Sequence, residues 1–330
     1  MDITDMLPGD KKTVECWMEK TLPRSKEPQE VYGLIWDFLD RGGKRFRPLM
    51  CLLACQAVGG DEAKAVPVAA SIELFHNFTL IHDDIEDNSQ MRRGKPCLHI
   101  TYGLPLALNA GDGLFMAAWK AALDSDLPPE KTINVANMLY NAFSKVLEGQ
   151  AIELKWHFGN VWGIGPQDYL RMVRGKTGAL IGGACETGAF IGGASMQQCE
   201  ALRVFGEEVG IAFQIQDDIL NLIGDEKKYK KEIGGDIVEG KRTLMVLDTL
   251  SKCSGQEAIK MQKILDSKST TPAEVRFAIK LLKKYGSIDF AAKYARDLII
   301  QAKPRLSKLP ANEATGRLRQ MADYLINREV

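Results

Sequence analysis

Between Thr271 and Gly286 the chain reads as one complete helix. Thr271 can cap its N-terminus, Pro272 takes the first helical position, and Glu274 completes a capping box. Val275, Ala278, Ile279, Leu282 and Tyr285 then recur on one apolar face, and Gly286 ends the run. The pattern repeats along the chain. Asp126-Leu127-Pro128-Pro129 precedes a run from Ile133 to Leu147, and Gly165-Pro166 starts another. Alternating β-branched stretches are almost absent, as are linkers, low-complexity segments and fixed-period repeats. The expected fold is all-α: one domain over residues 1–330 with ten or more helices.

Composition sets limits on function. With 43 Lys and Arg against 43 Asp and Glu, the net charge is zero. A general nucleic-acid binder would carry a basic excess, so function is expected in local charge clusters. The seven cysteines include no CxxC pair. Cys51 and Cys55, four apart in an apolar run, read as small core residues in a reducing compartment. The four histidines lack zinc-ligand spacing. The first residues have no apolar signal core, and no apolar run reaches the length of a membrane span. The expectation is a cytoplasmic protein with no membrane anchor and no nucleic-acid partner.

Two acidic patches each end a mostly apolar helix. The first is His82-Asp83-Asp84-Ile85-Glu86-Asp87, where Asp83 and Asp87 fall one turn apart on one face. Like charges at that spacing repel unless a cation lies between them, and a hard divalent ion bridged by carboxylates supplies one. The second is Gln214-Ile215-Gln216-Asp217-Asp218, followed by Asn221. Basic clusters interrupt these patches: Gly42-Gly43-Lys44-Arg45-Phe46-Arg47-Pro48, Arg92-Arg93-Gly94-Lys95-Pro96, Arg174-Gly175-Lys176-Thr177-Gly178, Lys231 with Gly234-Gly235-Asp236, and Gly240-Lys241-Arg242. The third is not a Walker motif, because no strand precedes it and its first glycine is missing. Together the clusters describe a site for highly anionic ligands, with arginine forks and lysine charges for phosphates and carboxylates for Mg²⁺.

In order and spacing these motifs resemble the trans-isoprenyl diphosphate synthases, the family of farnesyl and geranylgeranyl diphosphate synthases. The resemblance runs from about Gly42 to Thr243. It implies an all-helical fold around a central cavity, usually in a homodimer. It further implies that Lys44, Arg47, His76 and Arg93 bind isopentenyl diphosphate, and that Arg92, Lys176 and Lys241, with Lys231 nearby, contact the allylic diphosphate. Asp83, Asp87 and Asp217 resemble the Mg²⁺ ligands for three ions, supported by Asp84, Asp218 and Asp236. Thr177 and Gln214 resemble the groups lining the reacting carbons, where their oxygen dipoles would stabilise positive charge. The second motif departs from the family's DDxxD at Asn221, and a modest effect on Mg²⁺ affinity is expected there.

The implied reaction is ionisation of the allylic diphosphate, attack by the isopentenyl double bond, and proton loss to the departing diphosphate. His82 is expected to pack rather than to act as a base. Phe75 and Phe78, on one helix face, lie roughly 12 and 7.5 Å before Asp83 at ~1.5 Å per residue. In the family, bulk just before the first motif limits chain length. Phe78 with the small Thr79 resembles archaeal geranylgeranyl synthases, which favours a twenty-carbon product over the fifteen-carbon product of farnesyl synthases. Two other readings are weaker. A terpene cyclase would not need the second diphosphate set of Lys44, Arg47 and Arg93, and a non-catalytic partner subunit would have lost leading aspartates that both motifs retain.

Overall fold

The computed structural model describes residues 8–223, 233–267 and 270–326, and carries sixteen α-helices among them. In chain order α1 is Pro8–Thr21, α2 Gln29–Leu39, α3 Phe46–Ala57, α4 Val66–Glu86, α5 Leu98–Tyr102, α6 Leu104–Leu123, α7 Pro129–Phe158 and α8 Pro166–Val173. Then come α9 Ala179–Ile191, α10 Met196–Ile223, α11 Gly235–Val238, α12 Leu244–Lys252, α13 Gln256–Asp266, α14 Pro272–Lys284, α15 Ser287–Ala302 and α16 Glu313–Ile326. The helix beginning after Thr271 forms as its sequence dictates: Glu274 N donates to Thr271 Oγ1, and Thr271 N donates back to Glu274 Oε2 at 2.8 Å. Among the described residues no helix is long and apolar enough to cross a membrane.

The helical expectation misses one small feature. Met91–Arg92 (β1) and Lys95–Pro96 (β2) pair antiparallel, Met91 opposite Pro96 and Arg92 opposite Lys95. The two-residue turn between them puts Arg93 at φ 53° and Gly94 at φ 77°. Positive φ at both central positions is the turn that matches the twist of a tight hairpin. Strands of two residues are too short to carry the alternation that marks a strand in sequence.

The chain divides into two compact units. Within the described residues the first gathers the chain up to Phe143, Leu180–Gly206 and Leu306–Met321; the second gathers Ser144–Ala179, Glu207–Arg305 and the chain from Ala322. In the first, α4 packs along α6, with α1 and α3 also against α4. The glycine-rich α9 is part of this core. A Cβ at Gly188 would lie 2.0 Å from the Cys51 carbonyl oxygen, and one at Gly192 2.8 Å from that of Cys55. The four-residue spacing of the cysteines thus matches that of the glycines facing them. Both cysteines are fully buried, and burial pushes the Cys55 thiol up to about 11. In the second unit α12 is buried against α8, α14 and α15.

Candidate active site

In the first unit, α4 is apolar for most of its length and ends in the acidic patch. Its last turn places Asp83 and Asp87 half-buried and Asp84 buried. Asp84 Oδ1 accepts Arg92 Nε at 2.7 Å and Nη2 at 2.5 Å, so the carboxylate clasps β1 to the helix end. Burial opposes the charge of Arg92, but Asp84 overcomes it and holds the guanidinium above its ordinary value. One to two turns earlier, His76 Nε2 lies 3.2 Å from Arg47 Nη1. Burial, then the charge of Arg47, pushes His76 well below its ordinary pKa, so the imidazole is neutral and accepts from the arginine. Arg93 is also close enough to lower His76, whereas the Lys44 side chain is exposed. The structure therefore gathers Arg47, His76 and Arg93 and places Lys44 on the adjoining turn.

Below the acidic patch lies an aromatic cluster. The Phe75 ring stacks on Phe143 with centroids 3.6 Å apart, and Phe78 lies 5.4 Å from Phe75 and 5.2 Å from Phe115. Trp119 packs edge-on against both Phe115 and Phe143. Phe115, Trp119 and Phe143 are not marked out by the sequence, because their neighbours in space lie on other helices. Thr79 turns its hydroxyl back to the His76 carbonyl at 2.8 Å. His82 packs its ring edge against Phe78, and its Nε2 lies 3.4 Å from Asp112.

In the second unit, Arg174–Gly178 form one turn of π-helix between α8 and α9. Such turns insert an extra residue and redirect side chains. Gly149 of α7 makes the turn possible: a Cβ there would lie 2.2 Å from the Lys176 backbone nitrogen. Lys176 Nζ pairs with Glu153, one helical turn after Gly149. Burial pushes the Glu153 carboxyl up, but Lys176 and Lys241 beside it outweigh burial and hold it below the ordinary range. Thr177 Oγ1 donates to Gln214 Oε1 at 3.0 Å, Gln214 Nε2 donates to Asp218 Oδ1 at 2.8 Å, and Tyr169 Oη donates to Asp218 Oδ2 at 2.6 Å. Burial pushes Asp218 up to about 8, with the charge of Asp236 adding to it. Lys176, Thr177, Gln214, Asp218 and Lys241 line one cavity. Lys241 Nζ lies 3.5 Å from Asp236 and 2.5 Å from Glu239. Asp217 is half-buried on the same helix turn, and Lys231 lies outside the described residues.

Asn221 has a definite role. Its Oδ1 accepts from the Asp236 backbone N–H at 3.0 Å, and its carbonyl accepts from Gly234 N at 2.7 Å. The residue that departs from the aspartate pattern thus holds the segment carrying Asp236.

Residues 28–282 match the polyprenyl synthetase family. The chain belongs to that family. It is 40% identical to a short chain isoprenyl diphosphate synthase of Methanothermobacter thermautotrophicus, over 92% of this chain and 91% of that one. It is 36% identical to a geranylfarnesyl diphosphate synthase of Natronomonas pharaonis, covering 94% and 93%. The crystal structure of a geranylgeranyl pyrophosphate synthetase from Pyrococcus horikoshii superposes with a TM-score of 0.93 at 38% identity, covering 99% and 98%. The all-α fold of the polyprenyl synthetases is the fold of this chain.

The polyprenyl synthetases take Mg²⁺, and the residues at the end of α4 suit it. The donors are carboxylate oxygens alone, the chemistry of a hard cation. Asp84 Oδ2 is buried with no hydrogen-bond partner, an unmet acceptor beside Asp83. Among the described residues no three His, Cys, Asp or Glu form a ready-made cage. Magnesium does not require one: it takes one or two carboxylates and completes its shell with water and phosphate oxygens. Sequence reasoning missed Glu153 and Tyr169. Only Glu153 left a signal: with Glu148 it is one of two carboxylates on the second half of a long helix, a pattern that by itself reads as a solvated face.

Proposed function

We propose that this chain is a geranylgeranyl diphosphate synthase, condensing isopentenyl diphosphate with allylic diphosphates within one synthase domain spanning residues 1–330. The observation that carries the reading is the presence of two separate phosphate-suited cation sets. Arg47, His76 and Arg93 gather in the first unit, with Lys44 beside them, and Lys176 and Lys241 line the cavity of the second. Ionising a single diphosphate would need only one such set.

In this reading Lys44, Arg47, His76 and Arg93 hold isopentenyl diphosphate, and Arg92, Lys176, Lys231 and Lys241 hold the allylic diphosphate. Asp83, Asp87 and Asp217 would hold three Mg²⁺ ions, with Asp84, Asp218 and Asp236 in support, and bound Mg²⁺ would supply positive charge for the leaving diphosphate. Lys176 and Lys241 add fixed positive charge at the same leaving group. Lys176 is paired with Glu153, so a diphosphate competes with that carboxylate for the ammonium. The Thr177 and Gln214 oxygens lie next to the developing allylic cation and stabilise it without capturing it. The new bond joins the isopentenyl carbon to the allylic carbon, and the released diphosphate accepts the proton. The apolar wall keeps water from the cation.

Phe78, backed by Phe75 and Phe115, ends the channel for the growing chain. Relatives at similar identity are named for different chain lengths, so identity alone does not select the product. Thr79 leaves room beside Phe78, which favours twenty carbons over the fifteen of a farnesyl synthase. The chain acts in the cytoplasm as a homodimer: Leu104, Leu108 and Met116 of α6 and Ile133 and Tyr140 of α7 expose apolar side chains that a second copy would cover. The test is the release of pyrophosphate with isopentenyl diphosphate, an allylic starter and Mg²⁺. Release that requires all three supports the reading, and release from the allylic diphosphate alone contradicts it.

A further inference from the structure

The tripeptide Gly-Lys-Arg occurs twice in the basic clusters, at Gly43–Arg45 and at Gly240–Arg242. Composition treats its two cations alike, but the structure separates them the same way both times. In the first, Lys44 is exposed while the Arg45 side chain is 3% exposed. In the second, the Lys241 side chain is 25% exposed and that of Arg242 is 1%. A guanidinium taken out of water to this degree needs a carboxylate and a full set of acceptors. Each arginine has a carboxylate, and Arg45 has acceptors for all its nitrogens, whereas the buried Nε of Arg242 has none. Arg45 Nη1 donates to Glu73 Oε1 at 2.8 Å and Nε to Glu15 Oε1 at 3.1 Å. Arg242 Nη2 donates to Asp266 Oδ1 at 2.7 Å. Each also donates to the carbonyl of a glycine in its own turn, Gly42 and Gly240.

Both carboxylates are themselves fixed. Glu73 is 2% exposed, and its Oε1 also accepts from Asn77 Nδ2 at 3.1 Å. Asp266 Oδ2 accepts from Trp162 Nε1 at 2.9 Å, and the Trp162 ring lies 4.3 Å from the Arg242 guanidinium. The first network reaches further: Asn77 Oδ1 and the Gly42 carbonyl both accept from Arg93 Nη1. Arg45 holds a left-handed backbone, φ 51°, a costly conformation for a non-glycine residue that the surrounding contacts must sustain.

We propose that Arg45 with Glu73, and Arg242 with Asp266, are positioning pairs, each fixing the turn that presents the preceding lysine to its own diphosphate. This rests on the assignment of Lys44 and Lys241 to the two substrates. The buried arginine never meets the ligand. Its anchor stops the lysine turn from sampling other conformations, so less ordering is needed on binding.

The two anchors should therefore fail separately. Glu73→Gln is expected to raise the KM for isopentenyl diphosphate about tenfold and that for the allylic diphosphate less than twofold. Asp266→Asn is expected to do the reverse. A pair acting through its lysine adds nothing once the lysine is gone. In a Lys44→Ala background Glu73→Gln should move the KM less than twofold, and likewise Asp266→Asn in a Lys241→Ala background. If either carboxylate variant fails to fold, Glu15→Gln and Trp162→Phe loosen the same anchors more gently and are read the same way. Two KM values that rise together, or effects that multiply in the double variants, would make these pairs general structural contacts and overturn the proposal. Wild-type protein that condenses neither substrate overturns the functional assignment and the anchors with it; crossed KM values unmoved in an active enzyme sink the anchors alone.

Discussion

His76 is a half-buried histidine beside an arginine, and its chemistry fixes the sign of a pH effect. Its folded-state pKa lies well below the ordinary value, from burial first and Arg47 second. The unfolded chain takes up a proton near pH 6.5 that the folded chain refuses, so stability is present above that pH and lost as pH falls below it. The slope for one such proton is about 1.4 kcal/mol per pH unit. Thermal melts should show a midpoint falling between pH 7 and pH 5, and His76→Gln should flatten that fall. Asn221 teaches a different lesson. Its replacement of an expected aspartate was legible in the sequence, but its bond to the Asp236 backbone was not, because the two residues are fifteen apart in the chain. Asn221→Ala should weaken Mg²⁺ activation several-fold by freeing that segment, whereas Asn221→Asp, which keeps an accepting oxygen, should not. The aspartates, arginines and lysines of the motifs were legible because charge on an apolar helix has few other uses. Glu73 and Asp266 were not, since a carboxylate that anchors an arginine reads like any surface charge until the fold brings the two together.

At the scale of elements, the helices were legible from caps, stops and periodicity. The close crossings between them were not, because a glycine's use depends on what it faces. Gly149 sits mid-helix in α7, where glycine costs about 1 kcal/mol relative to alanine. The structure gives the reason: its missing side chain admits the backbone of Lys176. Gly149→Ala should destabilise the protein by about 1–3 kcal/mol through overpacking and lower kcat at least tenfold by displacing Lys176 and Thr177. A destabilised protein with unchanged kcat would show that the π turn tolerates the shift. The aromatic cluster belongs to this scale as well. Phe78→Ala opens the wall between α4 and α6 and should lengthen the product. A product of unchanged length in a folded variant would remove Phe78 as the channel floor, leaving Phe143 and Trp119 as the residues to alter.

At the scale of the molecule, the sequence made the fold class plain and left the division into two compact units unseen, since no change in composition marks Phe143 or Ala179. The exposed apolar side chains of α6 and α7 predict that Met116→Glu with Tyr140→Glu shifts sedimentation from dimer to monomer. The most direct test of the whole account is the size of the product. Purified protein, Mg²⁺ and isopentenyl diphosphate would be incubated with five-, ten- and fifteen-carbon allylic starters in parallel, and the dephosphorylated alcohols sized. A twenty-carbon alcohol from all three is the predicted result. Arrest at fifteen carbons would contradict the role given to Phe78 and Thr79, and no elongation of any starter would contradict the two-diphosphate site itself.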